Sequence, residues 1–274
     1  MEIKNLIDPV VALSIEAGKA ILAVYDTDFD VEKKADKSPL TKADMASNRC
    51  ILRGLAALTP EVPIITEEAG LPDFEKRRSW SCYWLIDPLD GTNNFAHGFP
   101  HVGLSLALVA DGQPVVGVIH DPLRGETFAA IAGGGATLDG RPIHVSNVEH
   151  LGSAFLATGF PYDRRTAPDN NVVRLDHFLR RSLGVRRAGA AVLDLAYVAC
   201  GRFDGFWEIR LKPWDVAAGV LLVREAGGWV TDFEGGPGCL AGEFIVASNG
   251  HVHDQMLRVI REGAAAPRPD DRDA

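Results

Sequence analysis

The sequence predicts an α+β / α/β protein in which two helices precede a β-sheet and a second α/β layer packs on that sheet. Three observations support this order. Apolar residues recur three and four positions apart near the N-terminus, short strand-like apolar segments fill residues 62–132, and strand and helix patterns alternate after about residue 149. With 274 residues, 46% of them hydrophobic, the chain can bury a substantial core.

The N-terminal region is expected to contain two amphipathic helices. The first covers residues 6–25, where the apolar side chains keep a helical period. The second begins at Thr41 and ends before Pro60. Thr41 and Asp44 have the spacing of a capping box, which marks the start of a helix.

The middle of the chain is expected to form an antiparallel meander. Asp111-Gly112 and Asp139-Gly140 are reversal signals between apolar runs. The candidate strands are 62–65, 83–86, 102–109, 115–120 and 127–132.

The later part of the chain is expected to form the second layer. Its candidate elements are a strand at 154–157, helices near 171–183, at 190–199 and from Asp215, and a strand at 244–247. We therefore predict a first domain at 1–148 with most of the acidic site, a substrate-side α/β domain at 149–262, and a disordered tail at 263–274, which has little to bury.

Charge and cysteine usage exclude several classes of function. The chain has 37 acidic and 28 basic side chains and a net charge of −9, which opposes binding to nucleic acid or to an anionic membrane. An anionic substrate would need local positive charge. None of the four cysteines has C-x-x-C spacing, and Asp8 and Pro9 interrupt the N-terminal apolar stretch, so we expect a cytoplasmic protein with reduced thiols.

The most informative motif is DPLDGTNNF at residues 87–95, directly after an apolar strand. Asp87 and Asp90 at a strand end can face one point, and their oxygens suit Mg²⁺. Gly91 lets the backbone approach closely, and a helix beginning at Thr92 would direct N–H groups towards an anion. A plain turn with a helix-capping aspartate is the alternative.

Two further acidic stretches have the same ambiguity. Glu67 and Glu68 end another apolar strand and repel each other unless a cation or base lies nearby, although a solvated pair is the alternative. Asp215 begins a helix that stops at 227–228. Capping alone would explain Asp215, but a capping carboxylate can also face a cation.

Together these stretches resemble the inositol monophosphatase family, part of the wider group of lithium-sensitive sugar phosphatases. The resemblance extends from the first helix to about residue 260, and its specific parts are DPxDGTxNF at 87–95 and WDxAAG with EAGG at 214–228. It implies a layered αβαβα sandwich of the inositol monophosphatase / fructose-1,6-bisphosphatase type. It also implies a homodimer that hydrolyses a small phosphorylated polyol or sugar, such as inositol 1-phosphate, by attack of a metal-activated water.

The resemblance implies a role for each matching acid. The metal ligands would be Glu67, Asp87, Asp90, Asp215 and the backbone carbonyl of Leu89. Two or three Mg²⁺ ions are implied, with Mn²⁺ as a substitute and with Li⁺ and Ca²⁺ as inhibitors. Gly91 and Thr92 would hold the phosphate, and Glu67 with Thr92 would orient and deprotonate the attacking water.

Asp44 matches an acid that tethers the waters of an additional ion, and Lys34 matches a nearby lysine; a capping acid and a solvated lysine are the alternatives. On the substrate side the resemblance implies contacts from Glu208, Gly189 and Ala190, besides those of the metal-binding Asp90 and Asp215. Ala190 departs from the family pattern, because the family commonly has Thr or Ser there. One contact to the alcohol is therefore missing or replaced by backbone or water.

Three other phosphatases on the same scaffold are alternative functions for this sequence: fructose-1,6-bisphosphatase, histidinol-phosphate phosphatase and a nucleotide 3′-phosphatase. These substrates would need a further basic or aromatic subsite, for which the arginine pairs at 164–165, 180–181 and 186–187 are candidates; solvated surface pairs are the alternative. A non-catalytic regulatory protein is disfavoured because every expected carboxylate is present. No nucleophilic Ser or Cys motif occurs.

Overall fold

The structure, a computed structural model, describes residues 2–25, 31–33, 39–72 and 79–265. Lys34 and residues 266–274 of the predicted tail lie outside these ranges. Helices are α1 Ile7–Tyr25, α2 Lys42–Leu58, α3 Thr92–Ala96, α4 Val172–Leu179, α5 Ala191–Ala199, α6 Pro213–Glu225 and α7 His253–Ala265. Strands are β1 Val31–Lys33, β2 Pro39–Thr41, β3 Ile64–Thr66, β4 Cys82–Asp90, β5 Gly103–Ala110, β6 Gln113–Asp121, β7 Glu126–Ile131, β8 Gly135–Leu138, β9 Arg141–Pro142, β10 Phe155–Thr158, β11 Gly184–Arg186, β12 Gly205–Ile209, β13 Trp229–Thr231 and β14 Phe244–Ser248.

The first large sheet has the order β3-β4-β5-β6-β7-β8-β9. Strands β4 to β9 pair antiparallel with their neighbours, which confirms the predicted meander. The prediction was wrong for β3, which pairs parallel to β4. Because parallel strands end at the same edge of a sheet, this pairing brings the residues after β3 beside the end of β4.

The second sheet has the order β11-β10-β12-β14-β13. Strand β10 is parallel to both of its neighbours, whereas β14 is antiparallel to β12 and to β13. The helix expected over 171–183 is shorter, since α4 ends at Leu179 and β11 begins at Gly184. The tail expected from residue 263 is also corrected, because α7 continues to Ala265.

Helices and sheets alternate in five layers. Helices α1 and α2 cover one face of the first sheet, α5 and α6 lie between the two sheets, and α4 and α7 cover the outer face of the second sheet. This arrangement confirms the αβαβα sandwich. One buried apolar cluster runs from Ile65 of the first sheet through α5 and α6 to Ile245 of the second, so the division at residue 148 stays a prediction.

The N-terminal helix signals are confirmed. The Thr41 side chain accepts a hydrogen bond from the Ala43 amide at 3.2 Å, and the Thr41 amide donates to Asp44 Oδ2 at 2.8 Å. This reciprocal pair is the capping box that begins α2. Within the described ranges, no helix is both long and apolar enough to cross a bilayer.

Candidate active site

A β-bulge at the end of β4 sets the direction of two carboxylates. Asp87 lies opposite Ser105 of β5 and Asp90 lies opposite Gly103, so three steps along β4 match two along β5. In a regular strand, residues three apart face opposite sides of the sheet. The extra residue of the bulge allows Asp87 and Asp90 to face the same side. Ser47 of α2 holds the bulge, because its hydroxyl donates to the Pro88 carbonyl at 2.7 Å.

Two more carboxylates reach the same place from other elements. Glu67 begins a 3₁₀ turn directly after β3, next to the end of β4. Asp215 lies in the first turn of α6, where its Oδ2 accepts the Lys212 amide at 2.7 Å. The capping alternative for Asp215 is thus confirmed, and it leaves the other carboxylate oxygen available.

Burial and neighbouring carboxylates raise the pKa values of Asp87, Asp90 and Asp215. Burial raises the pKa of Asp87 well above its usual range, and Glu67, Asp90 and Asp215 raise it further. Burial is also the main cause for Asp90, whose pKa rises from 3.8 to about 7 although hydrogen bonds from Val192 and Gly91 lower it. Burial, then Asp90 and Glu67, raise the pKa of Asp215. Such a cluster favours binding of a cation or a proton.

The chemistry of this donor set fits a hard divalent cation. It offers carboxylate oxygens and the carbonyl of Leu89, and no thiolate or imidazole lies among them. Across the described part of the chain, no three His, Cys, Asp or Glu side chains already form a ligand set for one ion. Mg²⁺ does not require one, because it usually binds one or two carboxylates together with waters and substrate phosphates. The individual ligand assignments remain proposals.

Thr92 is held by groups from two other stretches of the chain. Its hydroxyl lies 3.2 Å from Asp44 Oδ1 and 3.1 Å from the Leu89 carbonyl oxygen. The Thr41 hydroxyl, at 2.5 Å, and the Thr41 amide bind the other oxygen of Asp44. Asp44 therefore both caps α2 and accepts from Thr92. The resemblance pairs Thr92 with Glu67; that pairing stays a proposal, and Asp44 is the partner that the sequence did not indicate.

Gly91 is required at the turn before Thr92 for two reasons. Its φ of 85° lies in the left-handed region that glycine adopts readily. A Cβ at this position would also lie 2.9 Å from the His101 carbonyl oxygen. The backbone is thus free to approach a ligand here. The following helix has only five residues, so its dipole adds little.

A cavity of about 680 Å³ opens beside the carboxylates. Glu67, Asp90, Thr92 and Asp215 line one part of it, and Glu208 of β12 lines another. Glu208 is buried, which raises its pKa, and the nearby Asp194 and Asp90 raise it further. The cavity therefore has acidic residues suited to cations and also room for an organic group.

Comparison with known proteins decides the family. The sequence model of the inositol monophosphatase family matches residues 2–265. This chain belongs to the inositol monophosphatase family. Inositol-1-monophosphatase of a Synechocystis species is 39% identical over 255 residues, which cover 93% of this chain and 87% of that protein. Nus factor SuhB of Pseudomonas aeruginosa is 44% identical over 241 residues, which cover 85% and 86%.

The solved structures agree. Inositol monophosphatase from Anabaena (Nostoc) superposes with a TM-score of 0.87 at 39% identity, covering 98% of this chain and 99% of that one. Members of the inositol monophosphatase family are metal-dependent phosphatases that act on small phosphorylated substrates. A phosphatase of this family is thus the function class of the chain.

Ala190, where the resemblance implies a missing or replaced contact to the alcohol, is not among the residues that line the cavity. It is fully buried and precedes α5 without capping that helix, while its neighbours Gly189 and Ala191 line the cavity. Asp90 caps the helix in its place, since the Val192 amide donates to Asp90 Oδ2 at 2.9 Å. A carboxylate from β4 thus caps the first turn of α5.

The arginine pairs divide into two kinds. Arg180 pairs with Asp176 and Arg181 with Glu262 at the surface, which confirms the surface interpretation for that pair. Arg164 and Arg187, one from each remaining pair, line the cavity, together with basic and aromatic residues that the sequence did not indicate: Tyr162, Arg210 and Lys212. Arg164, Arg187 and Lys212 supply the local positive charge that an anionic substrate needs in an acidic protein.

Proposed function

We propose that this chain is a Mg²⁺-dependent phosphomonoesterase that hydrolyses inositol 1-phosphate to inositol and phosphate. The convergence of Glu67, Asp87, Asp90 and Asp215 from three separate stretches supports this proposal most strongly. Few soluble functions other than cation binding favour four mutually destabilising carboxylates beside a cavity. A homodimer and a cytoplasmic location, consistent with the four free cysteines, belong to the same proposal.

In this proposal the metal-holding groups are the four carboxylates and the Leu89 carbonyl. When bound, two or three Mg²⁺ ions, or Mn²⁺ in their place, would neutralise the phosphate and lower the pKa of a bound water, and Li⁺ and Ca²⁺ would inhibit. The Gly91 backbone would lie against the phosphate. Arg187, whose charge lowers the pKa values of Asp90 and Glu208, adds positive potential at the same cavity.

Thr92 and its partners would position the attacking water. Its hydroxyl donates towards Asp44 or the Leu89 carbonyl, so its lone pairs are available to accept a hydrogen bond from water on the cavity side. Glu67 lines the same side and would accept the water proton. The water oxygen bonds to phosphorus as the bond from phosphorus to the alcohol oxygen breaks. The leaving alkoxide takes a proton from a solvent water, and Glu67 returns the proton that it accepted to solvent.

The part of the cavity that Glu208 lines would bind the alcohol. Glu208 is buried at the cavity and would bind ring hydroxyl groups, while Gly189 permits close approach. Space for the Glu208 carboxylate depends on Gly159, because a Cβ there would lie 2.1 Å from Glu208 Oε1. A compact polyol suits a pocket with this combination of buried carboxylate and small residues.

Phosphate release from four esters compared side by side tests the proposal. The esters are inositol 1-phosphate, fructose 1,6-bisphosphate, histidinol phosphate and adenosine 3′,5′-bisphosphate. We expect the highest kcat/KM for inositol 1-phosphate, no release in EDTA, inhibition by Li⁺, and no turnover by Asp90→Asn. A higher kcat/KM for another ester would make that ester the proposed substrate and would leave the phosphatase class unchanged. Release from none of them with Mg²⁺ present would refute the phosphatase proposal.

The relatives named Nus factor SuhB favour a second candidate, a role that does not need turnover. The 44% identity with the Pseudomonas aeruginosa protein is the observation that supports it. Complementation separates the two candidates in a strain that lacks this gene. Growth restored by Asp90→Asn as well as by the wild-type chain would favour the role without turnover, and growth restored only by the wild type would favour the enzyme.

A further inference from the structure

The loop after β10 forms one wall of the cavity. Gly159, Phe160, Pro161, Tyr162 and Arg164 all line it. Tyr162 is 57% exposed, although a tyrosine ring usually buries most of its surface. A large aromatic side chain left open at the mouth of a cavity is typical of a residue that contacts a ligand.

The loop is held at its root by Asn171. The Asn171 amide nitrogen donates to the Gly159 carbonyl at 2.8 Å and to the Thr158 hydroxyl at 2.9 Å. Its oxygen accepts from the indole nitrogen of Trp207 at 2.9 Å. Asn171 is buried, so these bonds are shielded from water and fix where the loop leaves β10.

An ion pair holds the loop next to Tyr162. Arg210 Nη1 lies 2.6 Å from Asp163 Oδ1 and 2.7 Å from Asp163 Oδ2. Arg210 follows β12 with φ of 60°, a left-handed conformation that is uncommon for a residue with a side chain. Its amide donates to the Glu243 carbonyl at 2.8 Å, which fixes this conformation. Strained residues of this kind cluster at ligand sites.

Tyr162 lines the same cavity as the carboxylates Glu67, Asp90 and Asp215. After burial, Asp90, Glu67 and Asp215 are the main causes that raise the pKa of Tyr162. The ordinary pKa of a tyrosine, about 10, already keeps the hydroxyl protonated at neutral pH, so it can donate a hydrogen bond. Glu208 lies beneath the root of the same loop, against Gly159. A ligand between Tyr162 and Glu208 would meet a donor and a carboxylate from two sides.

We propose that Tyr162 is a specificity-determining residue that contacts the alcohol half of the phosphomonoester, and that the Asp163–Arg210 ion pair positions it. The proposal rests on the phosphatase function proposed above. The Tyr162 hydroxyl donates to a hydroxyl group of a cyclic polyol, and its ring covers the apolar face of that ring. Neither residue of the ion pair takes part in bond breaking.

Kinetics of Tyr162→Phe and Tyr162→Ala test the contact. Inorganic phosphate, used as a competitive inhibitor, probes the phosphate half of the site alone. Loss of one hydrogen bond and of the ring contact should raise KM for inositol 1-phosphate by about tenfold in Tyr162→Ala and by about threefold in Tyr162→Phe. The inhibition constant of phosphate should change by less than about twofold. Because Tyr162 is exposed on a loop, we expect both variants to fold.

Exchange of the charged pair tests the positioning role. Asp163→Arg and Arg210→Asp should each raise KM by about two- to fivefold, since an exposed ion pair is worth little. The double exchange should return KM towards the wild-type value. Asp is tolerated at the φ of residue 210, so that variant adds no backbone strain.

The outcomes separate this inference from the phosphatase function. An inactive wild type with every ester would refute that function. An active wild type with unchanged KM in both Tyr162 variants would refute the contact, and so would equal changes in KM and in the phosphate inhibition constant. Failure of the double exchange to recover any of the lost KM would refute the positioning role.

Discussion

Replacing Asp90 with Asn is expected to stabilise the metal-free protein while it abolishes turnover. The folded-state pKa of Asp90, about 7, lies above its ordinary value of 3.8. Between these values the unfolded chain loses the proton while the folded chain keeps it, so folding becomes less favourable as pH rises. Asn is neutral at every pH, and its oxygen can still accept the Val192 amide.

The size of the effect follows from the rise of about three units in the pKa of Asp90. At about 1.4 kcal/mol per unit this gives about 4 kcal/mol above pH 7. Asp90 is partly exposed, so solvent screening reduces the expected gain to about 2 to 4 kcal/mol. The gain should be near zero at pH 4 and grow up to about pH 7.

Urea denaturation in EDTA, repeated from pH 4 to pH 8, measures this gain. Glu61→Gln, which removes one exposed charge before β3, is the matched control. With Mg²⁺ at about 100 times its dissociation constant, the wild type should gain about 2.7 kcal/mol, and Asp90→Asn should gain much less. A variant less stable than the wild type at pH 8 in EDTA would refute the reasoning, as would one that keeps the full Mg²⁺ stabilisation.

Three further substitutions test other parts of the structure. Thr92→Ala should lower kcat by about 100-fold with little change in KM, because the hydroxyl that orients the water is lost. Thr92→Ser should retain most activity. Phosphate release measures both variants, and equal losses of kcat would contradict the assigned role. Gly159→Ala should raise KM by about tenfold, since the new methyl group would displace Glu208. Gly152→Ala, whose methyl group has space, is the control. An unchanged KM in Gly159→Ala would count against the contact between Glu208 and the substrate. His253→Ala should lower the free energy of unfolding, measured with urea, by about 2 kcal/mol without changing KM, because both ring nitrogens of this buried histidine are hydrogen-bonded, to Ser248 and Thr231. His251→Ala, at an exposed position, should leave the free energy of unfolding almost unchanged. Equal losses in the two variants would contradict the burial argument.

Local patterns predicted the elements that carry the site. Strands that end in acids and a helix that begins with a capping acid are short-range features, and they placed Glu67, Asp87, Asp90 and Asp215 at element ends. The parallel pairing of β3 with β4 could not be predicted, because strand direction depends on the path of the chain between them. That pairing is what brings Glu67 beside Asp87.

Contacts between distant stretches also escaped the sequence. Thr92 meets Asp44 across 48 residues, and Arg210 meets Asp163 across 47 residues. Nothing in the local composition of either segment specifies its partner. These contacts hold the groups that the proposed chemistry and substrate recognition use, so the resemblance supplied roles for the acids but gave no indication of Tyr162.

Helix α7, with the buried His253, is an element that the sequence analysis did not predict. His253 begins α7 and is buried with Val252, Met256, Leu257 and Ile260. Those positions recur at helical spacing, which is the signal that was present. Charged residues between them obscured it. The fully buried β12 was missed because its five residues show no alternation of apolar and polar side chains.

A crystal structure with Mn²⁺, located by its anomalous scattering, tests the central claim most directly. We expect two or three ions at the end of β4, bound by oxygens of Glu67, Asp87, Asp90 and Asp215 and by the Leu89 carbonyl, at distances near the value of about 2.1 Å that is typical of Mg²⁺. Anomalous peaks only elsewhere on the molecule, or no peak among these carboxylates at saturating Mn²⁺, would contradict the claim.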